Sequence, residues 1–525
     1  MNTNECTGSS LSLLKNFSLV SGATLLSRVL GLVRDILFFA TFGTSLIGEA
    51  FLLAFTIPNL FRRMLGEGTL SSAFIPVFAN LQKPDSTVSE WKLLNQVVSR
   101  LFLFLGVLSA LVALFSLASY QFNFFQTPKW HEAISLNGIT FFYVIFICAS
   151  AILVGALNVK KSFLAGAFSP VILNVFMILA LFYVGIANRF DFSVCATILS
   201  FSVVLAGILQ LFLPWYELHK RFHWKWNFNF SRSAELSEVG SLFWVGAFGA
   251  AIGQINILVS RMLAYLLDDQ GAVSYLYMSA RLVELPLGVF AIALSTILFP
   301  RMSSSLGKGD IKGYKSSFFR GLRMITMLTI PSAIGLFLVG DLVIKTLFEW
   351  KEFGGENVSM ASEVLAIVAW TIPLYALSTF IIKSFHSQKN MKVPLQAAFI
   401  SLLVNLVASL LLMKAYGVIG LAWANLFAAF FQFFYLCLKN DDLSVGSFIS
   451  QNQLCAHKIL LASLCMYVVV FYGKKITGFG DGKLALLAQL SVLIIGGMVS
   501  YFLPLILSKF YLSEGKPLLF RANRK

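Results

Sequence analysis

Apolar runs of about 20 residues recur from one end of this chain to the other, and each is long enough to cross a bilayer as an α-helix. Hydrophobic residues make up 58% of the 525 residues, and charged residues only 12%. A soluble protein carries about twice that charged fraction. With a mean hydropathy of +0.81, the chain is predicted to be an all-α polytopic membrane protein.

The runs divide into fourteen predicted membrane spans, and glycines at residues 66 and 68 predict a break in the second. We divide the chain into an N-terminal lobe at 1–220 (spans 1–6), a C-terminal lobe at 221–440 (spans 7–12), and a third part at 441–525. The third part holds spans 13 and 14 and a basic tail. The predicted spans are residues 16–41, 46–78, 93–118, 135–158, 163–185, 193–215, 237–265, 272–300, 318–339, 360–382, 393–413, 418–438, 459–472 and 484–508.

The loops between these spans alternate in charge. Even-numbered loops and the two termini hold about three times as many Lys and Arg residues as the odd-numbered loops, the bias that marks cytoplasmic segments. The net charge is +16, and the basic residues behind it are distributed as in a membrane protein and not clustered as on a nucleic-acid-binding face. We expect both termini in the cytoplasm and no nucleic-acid partner. The sequence shows no ATP-binding motif, metal cluster or catalytic triad, so we expect neither an enzyme nor a cofactor.

A weak internal repeat relates spans 2 and 8. Gly48 and Ser72 recur as Gly271 and Ser295, and Pro76 recurs as Pro300, at nearly the same offset. This spacing equals six spans, and two related halves are a common transporter plan.

All basic residues that fall within the predicted spans are arginines. Arg100 and Arg323 lie near cytoplasmic ends, where snorkelling would lower the cost of burying their charge. An arginine at the middle of a membrane helix costs about 2.5–3.5 kcal/mol on insertion scales, so several need a compensating environment. With Arg320, at the edge of span 9, counted with the preceding loop, the set is Arg28, Arg34, Arg62, Arg63, Arg100, Arg261, Arg281 and Arg323.

Two explanations of these arginines remain open. In the first, they pair within the helix bundle: Arg28 or Arg34 with Asp35, Arg63 with Glu67, and Arg281 with Glu284. In the second, they line a cavity that binds a multivalent anion such as a diphosphate, since arginines outnumber the acids within the spans. A cation exporter would need the opposite charge.

Several motifs resemble those of the MurJ (MviN) family of lipid II flippases. The resemblance covers nearly the whole chain, in order. Its motifs are Ser27-Arg28-Val29-Leu30-Gly31 with Arg34-Asp35, Pro58-Asn59-Leu60-Phe61-Arg62-Arg63, Glu67-Gly68, Ala73-Phe74-Ile75-Pro76, Ala156-Leu157-Asn158, Ser169-Pro170, Leu173-Asn174 and Ala280-Arg281-Leu282-Val283-Glu284-Leu285-Pro286.

The resemblance implies a multidrug/oligosaccharidyl-lipid/polysaccharide exporter fold, with two six-helix lobes in a V around a cationic cavity and two extra helices. It implies translocation of lipid II, an undecaprenyl-diphosphate disaccharide-pentapeptide, across the bacterial cytoplasmic (inner) membrane by alternating access, with cell-wall synthesis proteins as possible partners. The implied substrate-binding residues are Arg28, Arg34, Arg62 and Arg281. We add, as supporting cavity residues, Ser27, Asp35, Glu49, Asn59, Arg63, Glu67, Glu284 and Lys383.

Two positions depart from the family pattern. Thr56 stands where many members have a basic residue, and span 11 offers Ser401 and Asn405 without the carboxylate of a sodium site. The coupling ion, sodium or proton, stays open. Three other functions are weighed: a flippase for another polyprenyl-diphosphate glycan, a drug/cation antiporter, and a non-transporting scaffold.

Overall fold

The structure, a computed structural model, describes residues 3–66, 69–82, 89–125, 127–187, 190–443, 445–478, 480 and 482–507. Within these residues the regular structure is helical, apart from one isolated bridge between Trp350 and Phe353. The α-helices are α1 Thr3–Phe42, α2 Leu46–Phe61, α3 Thr69–Asn80, α4 Glu90–Phe122, α5 Pro128–Thr140, α6 Tyr143–Val159, α7 Leu164–Ala187, α8 Phe192–Phe222, α9 Ala234–Leu266, α10 Ala272–Pro286, α11 Ala293–Gly307, α12 Ile311–Phe348, α13 Glu356–Val368, α14 Thr371–Ser387, α15 Lys392–Leu438, α16 Val445–Ile476 and α17 Lys483–Leu507.

These helices confirm the predicted fourteen spans of an all-α membrane protein. Helices α2 and α3, α5 and α6, α10 and α11, and α13 and α14 each form one interrupted span. Helix α15 holds two spans, because Gly417 has a non-helical backbone (φ 54°, ψ −133°) where the sequence predicts the gap between spans 11 and 12. In the described part of the chain, 10 helical segments are long and apolar enough to cross a membrane.

Spans 2 and 8 share a wide helical turn. In span 2 a π-helical segment at Arg62–Gly66 follows α2, and in span 8 a π-helical segment at Leu287–Ile292 joins α10 to α11. Such turns are rare and concentrate at functional sites. Their occurrence in both spans agrees with the weak sequence repeat. The predicted break near Gly66-Glu67-Gly68 coincides with the end of this turn at Gly66, and Glu67 and Gly68 lie outside the described residues.

The chain divides into two compact units. Unit 1 comprises Met1–Leu258 and the short segment Trp350–Phe353, and unit 2 comprises Val259–Glu349 and Gly354–Lys525. Within unit 1 the Phe353 ring lies 5.8 Å from the Phe39 ring. The division at 1–220, 221–440 and 441–525 counts spans and stays a prediction.

Two prolines within the helices are accommodated by donors from neighbouring helices. A proline has no N–H, so it leaves the carbonyl four residues earlier without its usual helical donor. For Pro58 that carbonyl is Ala54 O, which accepts from Asn137 Nδ2 at 2.9 Å. For Pro331 it is Met327 O, which accepts from the Tyr501 hydroxyl at 2.6 Å. Such replacement donors make a helix interruption tolerable inside a membrane.

The segment between α8 and α9 is held along α4 by side chains of that helix. Arg100 donates through Nη2 to the carbonyls of Phe230 (2.8 Å) and Ser231 (2.7 Å), and the Ser99 hydroxyl accepts from Asn229 N at 3.0 Å. Snorkelling of Arg100 stays a prediction, and the structure adds the hydrogen-bond partners of its guanidinium. Its charge is satisfied by backbone carbonyls of the connecting segment, which also fixes the path of that segment.

Candidate functional site

An arginine and an aspartate adjacent in α1 form a buried ion pair in unit 1. Arg34 Nη2 lies 2.6 Å from Asp35 Oδ1, and Arg34 Nε donates to the same oxygen at 3.0 Å. The two residues are only 6% and 2% exposed. Both nitrogens donate to one carboxylate oxygen, and these charge-assisted hydrogen bonds offset part of the cost of removing both charges from water.

A second helix completes this network. Asn174, on α7, accepts from Arg34 Nη1 through Oδ1 at 3.1 Å and donates through Nδ2 to Ser27 O at 2.9 Å. Its amide therefore joins two turns of α1 that lie on either side of Arg28. Asn174 is absent from the predicted site residues, although Leu173-Asn174 is one of the family-like motifs. Its position as a polar residue in an otherwise apolar helix is the sequence signal that could have identified it as a site residue.

Arg28 differs from Arg34 in its surroundings. It is exposed, and it has no hydrogen-bond or ion-pair partner in the described part of the chain. Six residues separate the two arginines, which places them about 120° apart around a helix of 3.6 residues per turn. Of the two arginines predicted on α1, Arg34 is the one that pairs with Asp35, and Arg28 is the one that unit 1 leaves accessible.

Helix α2 and the π-helical turn supply a second group of polar residues in unit 1. Arg62 is half-buried and donates through Nε to Asn59 Oδ1 at 3.0 Å. Arg63 is also half-buried, whereas Glu49 is buried in the first turn of α2. Glu67 lies outside the described residues, so the predicted Arg63–Glu67 pair cannot be placed.

Thr56, one of the two departures from the family pattern, forms a hydrogen bond within its own helix. Thr56 is buried, and its hydroxyl donates to Leu52 O at 2.6 Å, one turn earlier in α2. Threonine is neutral, so this position contributes no charge to unit 1, unlike the basic residue of many family members.

Unit 2 carries the remaining predicted site residues. Arg281 Nη1 lies 3.0 Å from Glu284 Oε2, one helical turn away on α10, and both side chains are partly exposed (35% and 45%). This pair is the one predicted from their spacing. Lys383, on α14, is half-buried with its Nζ 5.6 Å from the centre of the Phe299 ring.

The polar residues considered for an ion site are also in place. Asn405 is buried in α15 and donates through Nδ2 to Ser260 Oγ at 2.7 Å, and Ser401 is buried on the same helix. Among the described residues no three His, Cys, Asp or Glu side chains come together as metal ligands. Asn405 and Ser260 are neutral hydrogen-bonding partners of each other, and coupling to sodium or protons stays a prediction.

Unit 1 thus presents the exposed Arg28 beside a buried charge network, and unit 2 presents the partly exposed pair of Arg281 and Glu284. An exposed guanidinium offers planar, paired donors that match phosphate oxygens. Whether the predicted arginines bind substrate stays a prediction, but the geometry separates an arginine that holds helices together, Arg34, from arginines that remain accessible, Arg28 and Arg281.

Comparison with known proteins gives a consistent relationship. The family profile described as lipid II flippase MurJ matches residues 38–489. A protein of Bdellovibrio bacteriovorus named probable lipid II flippase MurJ is 31% identical over 495 residues, which cover 93% of each chain. A Vibrio cholerae protein of the same name is 31% identical over 435 residues, covering 80% of this chain and 81% of its own.

Solved structures show the same fold. A structure of lipid II flippase MurJ in an inward closed conformation superposes with a TM-score of 0.78 at 26% identity, covering 94% of this chain and 100% of that one. An inward-facing multidrug resistance MATE family transporter superposes with a TM-score of 0.64 at 12% identity, over 79% of this chain and 94% of its own, and this likeness concerns the fold alone. With a profile match over most of its length and relatives at this level of identity, the chain belongs to the lipid II flippase MurJ family.

Proposed function

We propose that this protein is a flippase that moves lipid II from the inner to the outer leaflet of the bacterial cytoplasmic membrane by alternating access. The family membership and the fourteen helical spans support a transporter, and the bias of basic residues toward even loops supports termini in the cytoplasm. Transport changes the position of the substrate and breaks no covalent bond, so the protein is no enzyme. Membrane potential or an ion gradient would drive the return step.

The observation that carries this proposal is the contrast between the two arginines of α1. Arg28 is accessible and unpaired in the described part of the chain, whereas Arg34 is enclosed by Asp35 and Asn174. A cation left exposed within an apolar helix is costly unless a ligand or water compensates it. A diphosphate supplies the opposite charge and several acceptor oxygens. Arg28 is therefore the primary diphosphate contact on α1, assisted by Arg62 and Arg281.

Complementation of a flippase-depleted bacterium tests this assignment. Arg28→Ala should abolish growth while membrane insertion stays normal, and Arg28→Lys should retain partial function because the charge remains. Thr24→Ala is the matched control. Thr24 is exposed one turn earlier on the same helix, and its hydroxyl bonds only to Val20 O within that helix. Full growth of cells with normally inserted Arg28→Ala would refute a diphosphate contact at this residue.

A second measurement identifies the substrate. After depletion of the protein, lipid II accessible at the outer face of the membrane should fall, and the wild-type chain should restore it. Unchanged accessibility of lipid II, with loss of another polyprenyl-diphosphate glycan from the outer face, would instead assign the protein to that substrate.

A further inference from the structure

A cavity of about 540 Å³ lies between the end of α11 and the start of α12, wholly within unit 2. Arg301, Ser304 and Ser305 line it from α11, and Gly313, Ser316 and Ser317 line it from α12. The residues of each helix are three or four positions apart, so they form one polar face on each helix. The substrate-binding arginines proposed above are not among the residues that line it.

The polar groups of this cavity are available to a ligand. Arg301 is exposed and has no hydrogen-bond or ion-pair partner in the described residues. The hydroxyls of Ser304, Ser305, Ser316 and Ser317 also have no hydrogen-bond partner in the described residues. Side chains that have no structural partner and face one cavity differ from Arg100, whose guanidinium is occupied by backbone carbonyls.

The charge around the cavity favours an anion. Two exposed lysines lie close to the cavity in sequence. Lys308 follows the end of α11, and Lys312 is the second residue of α12. The nearest acid of the turn between the two helices, Asp310, caps α12 by accepting from Gly313 N at 2.8 Å. Lys315 is paired with Asp442 at 3.1 Å, so it contributes less to the local field. Arg301, Lys308 and Lys312 outnumber the one acid, Asp310, so the net charge around the cavity is positive and favours an anion over a cation.

Gly313 keeps the two helices close without filling the space between them. A Cβ atom at this position would lie 3.1 Å from Ser305 Oγ and would also collide with the Asp310 carboxylate. Any side chain here would disturb the cap of α12 and narrow the cavity. The close approach therefore brings serines of both helices and one arginine to the same small volume.

The position along the helices places this cavity at the membrane surface. Helix α12 has 38 residues. It is therefore about 57 Å long, well beyond the ~30 Å hydrocarbon core. The cavity is formed by its first two turns and by the last two turns of α11. We therefore expect it to lie outside the hydrocarbon core, at the level of the lipid headgroups.

We propose that this cavity binds a phosphate group, supplied by the headgroup of an anionic phospholipid, with Arg301 as the charged donor and the serines as hydroxyl donors. Arginine and hydroxyl donors are the groups that recognise phosphate oxygens. This site is separate from the proposed lipid II contacts and does not rest on them.

Binding to the purified full chain in detergent tests the site. The probes are short-chain phosphatidylglycerol and phosphatidylcholine, followed by native mass spectrometry. The wild type should prefer phosphatidylglycerol. Arg301→Gln should lower that affinity about tenfold, the usual scale of a lost charge-assisted hydrogen bond. Lys308→Gln, which removes an equal charge outside the cavity, should change it much less.

Further arms separate the alternatives. A chain with both Ser304→Ala and Ser316→Ala alters only exposed hydroxyls and should also weaken binding, which would not occur if Arg301 attracted lipid only by charge. Glycerol 3-phosphate and inorganic phosphate are tested alone. Arg301-dependent binding of these at similar affinity would retain the phosphate site and assign it to a soluble ligand. Equal losses in Arg301→Gln and Lys308→Gln, or no loss in either, would overturn the proposal.

Discussion

Arg34 reaches Asn174 across the contact between α1 and α7, with 3.1 Å between Nη1 and Oδ1. The same guanidinium holds Asp35 through two other nitrogens. One arginine therefore satisfies an acid on its own helix and fastens a second helix. Such a residue can be essential to transport without touching substrate, and its effects on stability and on binding must be separated by experiment.

Loss of Arg34 should reduce stability as well as function. Removing one member of a buried ion pair costs about 3–5 kcal/mol, because the other charge stays buried without its partner. Arg34→Ala should therefore lower the free energy of unfolding in detergent by about this amount, and Arg28→Ala should leave it nearly unchanged. Equal stability of Arg34→Ala and wild type would show that the Asp35–Arg34 pair does not support the fold.

Asn174 should behave as a positioning residue. Asn174→Leu removes both the acceptor for Arg34 and the donor to Ser27 O while keeping a similar volume. We expect a loss of about 1–3 kcal/mol in unfolding free energy from the unsatisfied polar groups, together with reduced transport. Asn174→Gln, which keeps the amide, should recover part of both. Reduced transport with unaltered stability would indicate instead that Asn174 contacts substrate.

The Arg281–Glu284 pair should contribute little to stability. Its side chains are 35% and 45% exposed, and exposed pairs at this spacing contribute about 0–1 kcal/mol. Glu284→Gln should therefore change unfolding free energy by less than about 1 kcal/mol. Arg281→Ala should show the same small change in stability but a large loss in complementation. Parallel losses of stability and growth would remove Arg281 from the proposed diphosphate contacts.

The sequence predicts the architecture of this chain more fully than its polar contacts. Span number follows from apolar runs of fixed length, and even the division of α15 is marked by Gly417. The Arg281–Glu284 pair follows from helical spacing. The partners of Arg34 and Arg100 do not, because Asn174 is 140 residues from Arg34 and the acceptors of Arg100 are backbone carbonyls. Asn174 stands out as a polar residue in an apolar helix, but nothing near it in the sequence identifies Arg34 as its partner, and backbone carbonyls leave no sequence signal at all.

The hydroxyl of Tyr501 should stabilise the fold by replacing the hydrogen bond that Pro331 cannot donate. Tyr501 is 1% exposed, and its hydroxyl donates to Met327 O, the carbonyl that Pro331 leaves without a helical donor. Tyr501→Phe removes only this donor, so we expect a loss of about 1–3 kcal/mol in unfolding free energy. Pro331→Ala restores an N–H that can bond Met327 O, so the same tyrosine change should cost much less in that background.

A double-mutant cycle in detergent measures this coupling. The control is Tyr467→Phe, a tyrosine on α16 that is 37% exposed and has no hydrogen-bond partner in the described part of the chain, which should cost little in either background. If Tyr501→Phe costs the same with proline and with alanine at position 331, the hydroxyl does not compensate for the proline. A smaller cost with alanine would show that a helix interruption inside the membrane is sustained by a donor from α17.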